Sequence, residues 1–213
     1  VSGYNGEHGL GYTASMFHLF THAFFKSLLF LGAGVVIHFI QSNEMKDMGG
    51  LRKFLPVANA TFLIACLAIA GIPPFAGFFS KDAVLWGTWN YANYGRVLWF
   101  VGIVAATFTS FYMFRLLILT FYGQPRYTEQ AVHHVHESPR SMLLPLAILA
   151  IFSMVAGFVG VPRALGGHNQ VEQFLTTGVH ETESESLGFS GTEVLLMAAS
   201  TGAALTGLLL AYL

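Results

Sequence analysis

Three ionisable side chains, His18, His22 and Lys26, recur at every fourth residue inside an apolar stretch, MFHLFTHAFFKSLLFLGAGVVIH, from Met16 to His38. On an α-helix a step of four advances about 40° around the axis and about 6 Å along it. The three side chains therefore make a slanted row roughly 12 Å long on one face. Imidazole and ammonium groups take up and release protons. At bilayer depth they face a bundle interior or a hydrated path, because hydrocarbon does not solvate them. The row is expected to be a stretch of proton conduit.

A second pair, Lys81 and Asp82, follows an interruption in TFLIACLAIAGIPPFAGFFSKDAVLW. Pro73 and Pro74 lack the amide hydrogens a helix needs, and Gly71 and Gly77 flank them. Two outcomes stay open. One is a discontinuous helix of the kind that lines ion paths in transporters. The other is a simple proline kink, or a helix that ends at Ile72 before a second short one. A straight helix from Val57 would reach Lys81 after about 36 Å, beyond the roughly 30 Å hydrocarbon core. Lys81 would then sit at the outer interface and snorkel. A tilted or broken helix holds it deeper, as an exit-side proton site with Asp82 as its charge partner.

Other ionisable residues are weaker candidates. Arg115 is expected to snorkel from the end of its span. His38 lies about 200° around the helix from His18 and belongs at the cytoplasmic interface. His133, His134, His136 and Glu137 resemble a metal cluster, but in a short loop without cysteine they read better as a solvated patch. The acidic run Glu181–Glu185 reads as a solvated surface segment.

The elements that must position these groups follow from composition. The 213 residues are 54% hydrophobic and only 10% charged, against about 25% charged in soluble domains. Apolar runs near the roughly 20 residues needed to span a bilayer recur along the chain. The expected fold class is all-α, a polytopic transmembrane helix bundle of about five spans in one membrane domain over residues 1–213. The spans are about 14–40, 57–86, 97–122, 142–161 and 192–213, the second broken by Pro-Pro. None alternates like a barrel strand. A net charge of −1 gives no nucleic-acid signature. The single Cys66 excludes an internal disulfide and any multi-cysteine cluster on this chain, and reads as a small buried side chain.

The loops after spans one and three hold Lys46, Arg52, Lys53, Arg126 and Arg140, against Arg96 and Arg163 on the opposite side. The first side is therefore expected to be cytoplasmic (or matrix), with span one running inward and span two outward. The chain starts with Val in a polar, Gly-rich segment without a signal-peptide pattern and ends inside the apolar run Ala198–Leu213. Both ends read as cut, so an incomplete piece of a longer polytopic chain is expected.

The blocks HLFTHAFFKSLLFLGAGVVIH, MKDMGGLRKFLP and TFLIACLAIAGIPPFAGFFSKD, in that order and spacing, resemble the distal antiporter-like membrane subunit (subunit L / chain 5 type) of respiratory complex I, the proton-pumping NADH:quinone oxidoreductase. The resemblance continues weakly through SFYMFRLLILTFYG and VHESP and is strongest over Tyr12–Trp86. It implies that His18, His22 and Lys26 belong to a hydrated axis along the membrane midplane. It implies that Lys81, beside Asp82, lies on the route to the outer side. It further implies a fragment of the C-terminal half, the later part of the second of two inverted repeats. Partners would be the lipid bilayer and the other membrane subunits of complex I. FMN, iron–sulfur clusters and the quinone pocket would reside in partner subunits, with no cofactor on this chain. The location implied is a bacterial inner membrane rather than a mitochondrial one.

The expected function is proton translocation in the membrane arm, driven by quinone reduction elsewhere. Two unit charges 6 Å apart interact by about 3 kcal/mol at an effective dielectric of about 20, enough to bias where a proton sits. Three rivals stand beside it. One is a subunit of a multisubunit sodium/proton antiporter, which shares the ancestor. Another is a structural subunit whose polar residues only lock helices together. The third is a haem protein using His18, His22 or His38, which would need a further histidine-bearing helix that no other span core provides.

Overall fold

The computed structural model describes residues 10–91, 93–127, 140–162, 165–167, 169–176 and 191–213. Within these all the regular secondary structure is helical. Helix α1 (Leu10–Ile40) is followed by two short 3₁₀ turns, Met45–Asp47 and Leu51–Lys53. Helices α2 (Pro56–Ala70) and α3 (Ala76–Trp89) come next, then α4 (Gly95–Leu117), which closes in a π-turn over Ile118–Tyr122. Helix α5 (Arg140–Val155), a 3₁₀ stretch (Ala156–Gly160), the short α6 (Gln170–Thr176) and α7 (Gly191–Tyr212) complete it.

Among the described residues four helical stretches are long and apolar enough to cross a membrane: Gly11–Ile40, Gly95–Tyr122, Ser141–Gly160 and Gly191–Tyr212. The outer faces carry the apolar side chains a bilayer requires, with Phe30 78% and Phe108 65% exposed. The molecule is an all-α polytopic membrane bundle. The expected second span is two helices, α2 of 15 residues and α3 of 14. Each is about 22 Å long, too short to cross alone. The discontinuous alternative is the one adopted, and α1 packs along both halves.

The core lies between α1, α2, α4 and α5, around Leu28, Val35, Leu55, Ala65, Phe121 and Leu146. Cys66 is buried there, its Sγ 3.7 Å from the Met113 carbonyl oxygen. The expected cytoplasmic end is tied together by Arg126. Its Nε donates to the Met48 oxygen at 2.8 Å, and its Nη2 donates to Met45 at 3.0 Å and Leu119 at 3.3 Å. Arg115 is exposed, as a snorkelling side chain would be, yet it has a definite partner: Nη1 donates to the Ala211 oxygen at 3.2 Å, near the end of α7. A cation there complements the partial negative charge of a helix C-terminus. His38 is exposed in the last turn of α1. The His133–Glu137 cluster, the Glu181–Glu185 run and Arg163 lie outside the described residues.

Helices α4 and α7 meet through small residues, as membrane helices do when packing rather than water exclusion holds them. Ser110 Oγ donates to the Ala204 oxygen at 2.6 Å. A Cβ on Gly207 would lie 2.5 Å from the Thr107 oxygen and 3.0 Å from the Phe111 nitrogen, both backbone atoms. Gly207→Ala is therefore expected to wedge the pair apart at a cost of about 1–3 kcal/mol. The check is the melting temperature of the detergent-solubilised protein; an unchanged value would show that the two helices separate freely.

Candidate functional site

The site starts from the backbone of the break. Helix α2 ends in a left-handed Gly71, φ 80°, whose N–H donates to Ala68 at 3.1 Å while the Ile72 N–H donates to Leu67 at 3.1 Å. This is the closure glycine provides at helix ends. In a continuous helix the carbonyls of Ile69 and Ala70 would accept from residues 73 and 74, but both are proline and have no N–H to give. The Lys81 ammonium fills one vacancy: Nζ donates to the Ala70 oxygen at 2.9 Å. Lys81 thus leaves α3 and folds back onto the C-terminal end of α2, where the helix dipole favours a cation. Its stem runs so close to Gly71 that a Cβ there would sit 3.0 Å from Lys81 Cδ. The break therefore holds Lys81, partly buried, against the interrupted backbone.

Helix α1 brings its row to the same place. Ser80, fully buried and adjacent to Lys81, accepts a hydrogen bond from Thr21 Oγ1 at 2.7 Å and lies 3.1 Å from His18 Nδ1. The His18 and His22 rings are 5.8 Å apart, centroid to centroid, and His22 meets Phe25 edge-on at 5.2 Å. Lys26 is exposed on α1, within electrostatic reach of His22, and Lys81 acts on His18 in the same way. Lys26, His22, His18, Ser80 and Lys81 thus follow one another in a line: His18 and Ser80 are within hydrogen-bond distance, and the charged groups interact through space. Neutral imidazole offers one donor and one acceptor, and a serine hydroxyl offers both.

The Asp82 and Lys81 charges interact through space, but no salt bridge joins them among the described residues and Asp82 makes its hydrogen bond elsewhere. Consecutive residues on a helix project about 100° apart, so Lys81 turns toward α2 while Asp82 turns toward α7. There the Asp82 Oδ1 accepts a hydrogen bond from Ser200 Oγ at 2.5 Å. Asp82 is 4% exposed, and its Oδ2 has no hydrogen-bond partner among the described residues. The sequence reading missed Ser80, Thr21 and Ser200. Ser80 had one available signal, a small hydroxyl beside Lys81 in an apolar run; Thr21 and Ser200 had none.

Residues 5–110, which contain both the row and the break, match the family model described as NADH:quinone oxidoreductase/Mrp antiporter, TM. The chain is 44% identical to NAD(P)H-quinone oxidoreductase chain 5 of Picosynechococcus over 95% of its own length and 34% of that protein. It is 42% identical to NADH-quinone oxidoreductase subunit L of Mycobacterium tuberculosis, over 83% of its own length and 28% of that one. The chain belongs to the antiporter-like membrane subunits of the NADH:quinone oxidoreductase/Mrp family. Among solved structures, the Mrp complex of Dietzia sp. DQ12-45-1b contains a chain of the same fold. The TM-score is 0.66 at 24% identity, over 92% of this chain and 21% of that one. This antiporter-like chain spans about a third or less of the length of these curated relatives. It is an integral membrane protein.

Proposed function

We propose that this antiporter-like chain moves protons across the membrane as part of the distal, subunit L / chain 5 type subunit of respiratory complex I. It would represent a segment of that subunit's C-terminal half. Quinone reduction in other subunits supplies the drive, and those subunits hold the FMN, the iron–sulfur clusters and the quinone. The partners in this reading are the other membrane subunits of the complex, and the location is a bacterial inner membrane. The paired helices α2 and α3 together make one crossing, the fifth beside the four long stretches. His18, His22, Lys26, Lys81 and Asp82 are the proton-carrying groups.

One observation carries this reading: the line from Lys26 to Lys81 joins two helices at a backbone break. Protonating one member changes the energy of a charge on the next, so the row responds as a coupled set. A sodium/proton antiporter subunit is the second reading, because the family description names both kinds of protein.

Lys26 tests the proposal cleanly. It is exposed and makes no hydrogen bond or ion pair among the described residues, so its removal costs little packing. Lys26→Ala in the full-length subunit, with assembly verified, is expected to lower the protons pumped per NADH oxidised in vesicles, or to slow pumping and oxidation together. Unchanged ratio and rate would reduce the row to helix packing. Pumping that requires sodium would favour the second reading.

A further inference from the structure

The proposed proton line along α1 ends at Lys81, and Asp82 faces away from it toward α7. Three observations on that side belong together. Ser200 on α7 holds Asp82 Oδ1 at 2.5 Å, across a separation of 118 residues. Asp82 Oδ2 is buried without a hydrogen-bond partner among the described residues, although carboxylate oxygens at such depth ordinarily have one. Glu193 lies on the same face of α7, seven residues and about 10 Å before Ser200, and is partly buried. It is near enough to Asp82 for the two charges to interact. Between them on the same stripe sits Met197, buried against Phe17, Phe78 and Phe79.

The direction of this stripe is consistent. Helix α3 runs outward by the loop charges, and α7, separated from it by the two crossings of α4 and α5, begins at the outer end. Glu193, in the first turn of α7, is therefore outward of Ser200, and Ser200 is level with Asp82. We propose that α7 supplies the outward branch of the proton path. In it Ser200 is a positioning residue that aims the Asp82 carboxyl, and Glu193 is the acceptor that receives its proton toward the outer surface. The step is a proton transfer alone. The Asp82 O–H bond breaks, an O–H bond forms on the Glu193 carboxylate, and a proton from Lys81 Nζ re-protonates Asp82. Met197, buried in one cluster with Phe17, Phe78 and Phe79, lies between Ser200 and Glu193 along α7, so water carries the proton past it from one carboxyl to the other.

This inference rests on the proton-path reading above, and the experiment separates the two. In the assembled complex carrying the full-length subunit, protons pumped per NADH are measured for Ser200→Ala, Ser200→Thr, Glu193→Gln and, as reference, Lys81→Arg. Ser200→Ala and Glu193→Gln are expected to reduce pumping, with proton release about tenfold slower when the bond to the carboxylate is lost. Ser200→Thr keeps the hydroxyl and recovers most of the pumping. A merely structural hydroxyl would instead lower assembly at an unchanged ratio. If Lys81→Arg uncouples while Ser200→Ala and Glu193→Gln pump normally, the α7 branch is wrong and the path reading stands. If all of them pump normally, both fall. If Ser200→Ala does not assemble, Glu193→Gln decides alone, because a glutamine in the first turn of α7 matches the glutamate in shape.

Discussion

Lys81→Arg in the full-length subunit is expected to assemble normally and to lose coupled proton translocation. The substitution separates the structural contact of Lys81 from its proposed role in the proton path. Structurally it donates to the Ala70 carbonyl, one of two acceptors that Pro73 and Pro74 leave without a backbone donor. Arginine donates as well and keeps the positive charge at the end of α2. Functionally a pump needs a group that releases its proton, and a guanidinium does not. Lys81→Met gives the complementary result. It keeps the apolar stem against Gly71, removes the ammonium, and leaves the Ala70 oxygen unpaired at a cost of about 1–3 kcal/mol. The methionine variant is expected to lose pumping and also to assemble less well. The measurements are protons pumped per NADH oxidised and the amount of assembled complex in the membrane. Full pumping by the arginine variant would remove Lys81 from the proton path and leave it as a helix cap.

Gly77→Ala is expected to have the largest effect on the fold. A Cβ at this position would overlap the carbonyl oxygen of Ala68 and lie 2.9 Å from its carbonyl carbon. The obstruction is backbone of α2, which has no rotamer to change. Helix α3 must move away from the end of α2, and Lys81 is then carried off the Ala70 carbonyl. Overpacking of this kind costs about 1–3 kcal/mol and more where backbone meets backbone. A lower melting temperature, a lower amount in the membrane and a loss of pumping are expected together. Normal assembly with normal pumping would mean that the two half-helices need no close approach. Retained pumping with poor assembly would show that the Lys81 contact survives their separation.

Several features were legible in the sequence because they depend on local chemistry alone. A chain with so few charges and repeated long apolar runs has no soluble way to hide its surface, so a polytopic helical bundle follows from composition. The four-residue spacing of His18, His22 and Lys26 lies within one helix, and helical geometry settles which side they share. The break near Gly71 and Pro74 was visible for the same reason: proline's missing donor is a property of the residue. Whether it became a kink or a gap was not decided by those residues, since a kinked helix is equally open to a Gly-Ile-Pro-Pro segment in isolation.

The tertiary structure decided what each group touches. Lys81 and Asp82 are neighbours in sequence and their charges interact, but helical rotation sends the hydrogen bond of one to α2 and of the other to Ser200 on α7. The hydroxyls at the junction of the row and the break come from Thr21 and Ser80, 59 residues apart, and of the two only Ser80, beside Lys81, carried a local signal. Local pattern reports the face on which a side chain lies and the donors a backbone lacks. The partner that satisfies them is chosen by which helices pack together, a property of the whole bundle that no single stretch encodes.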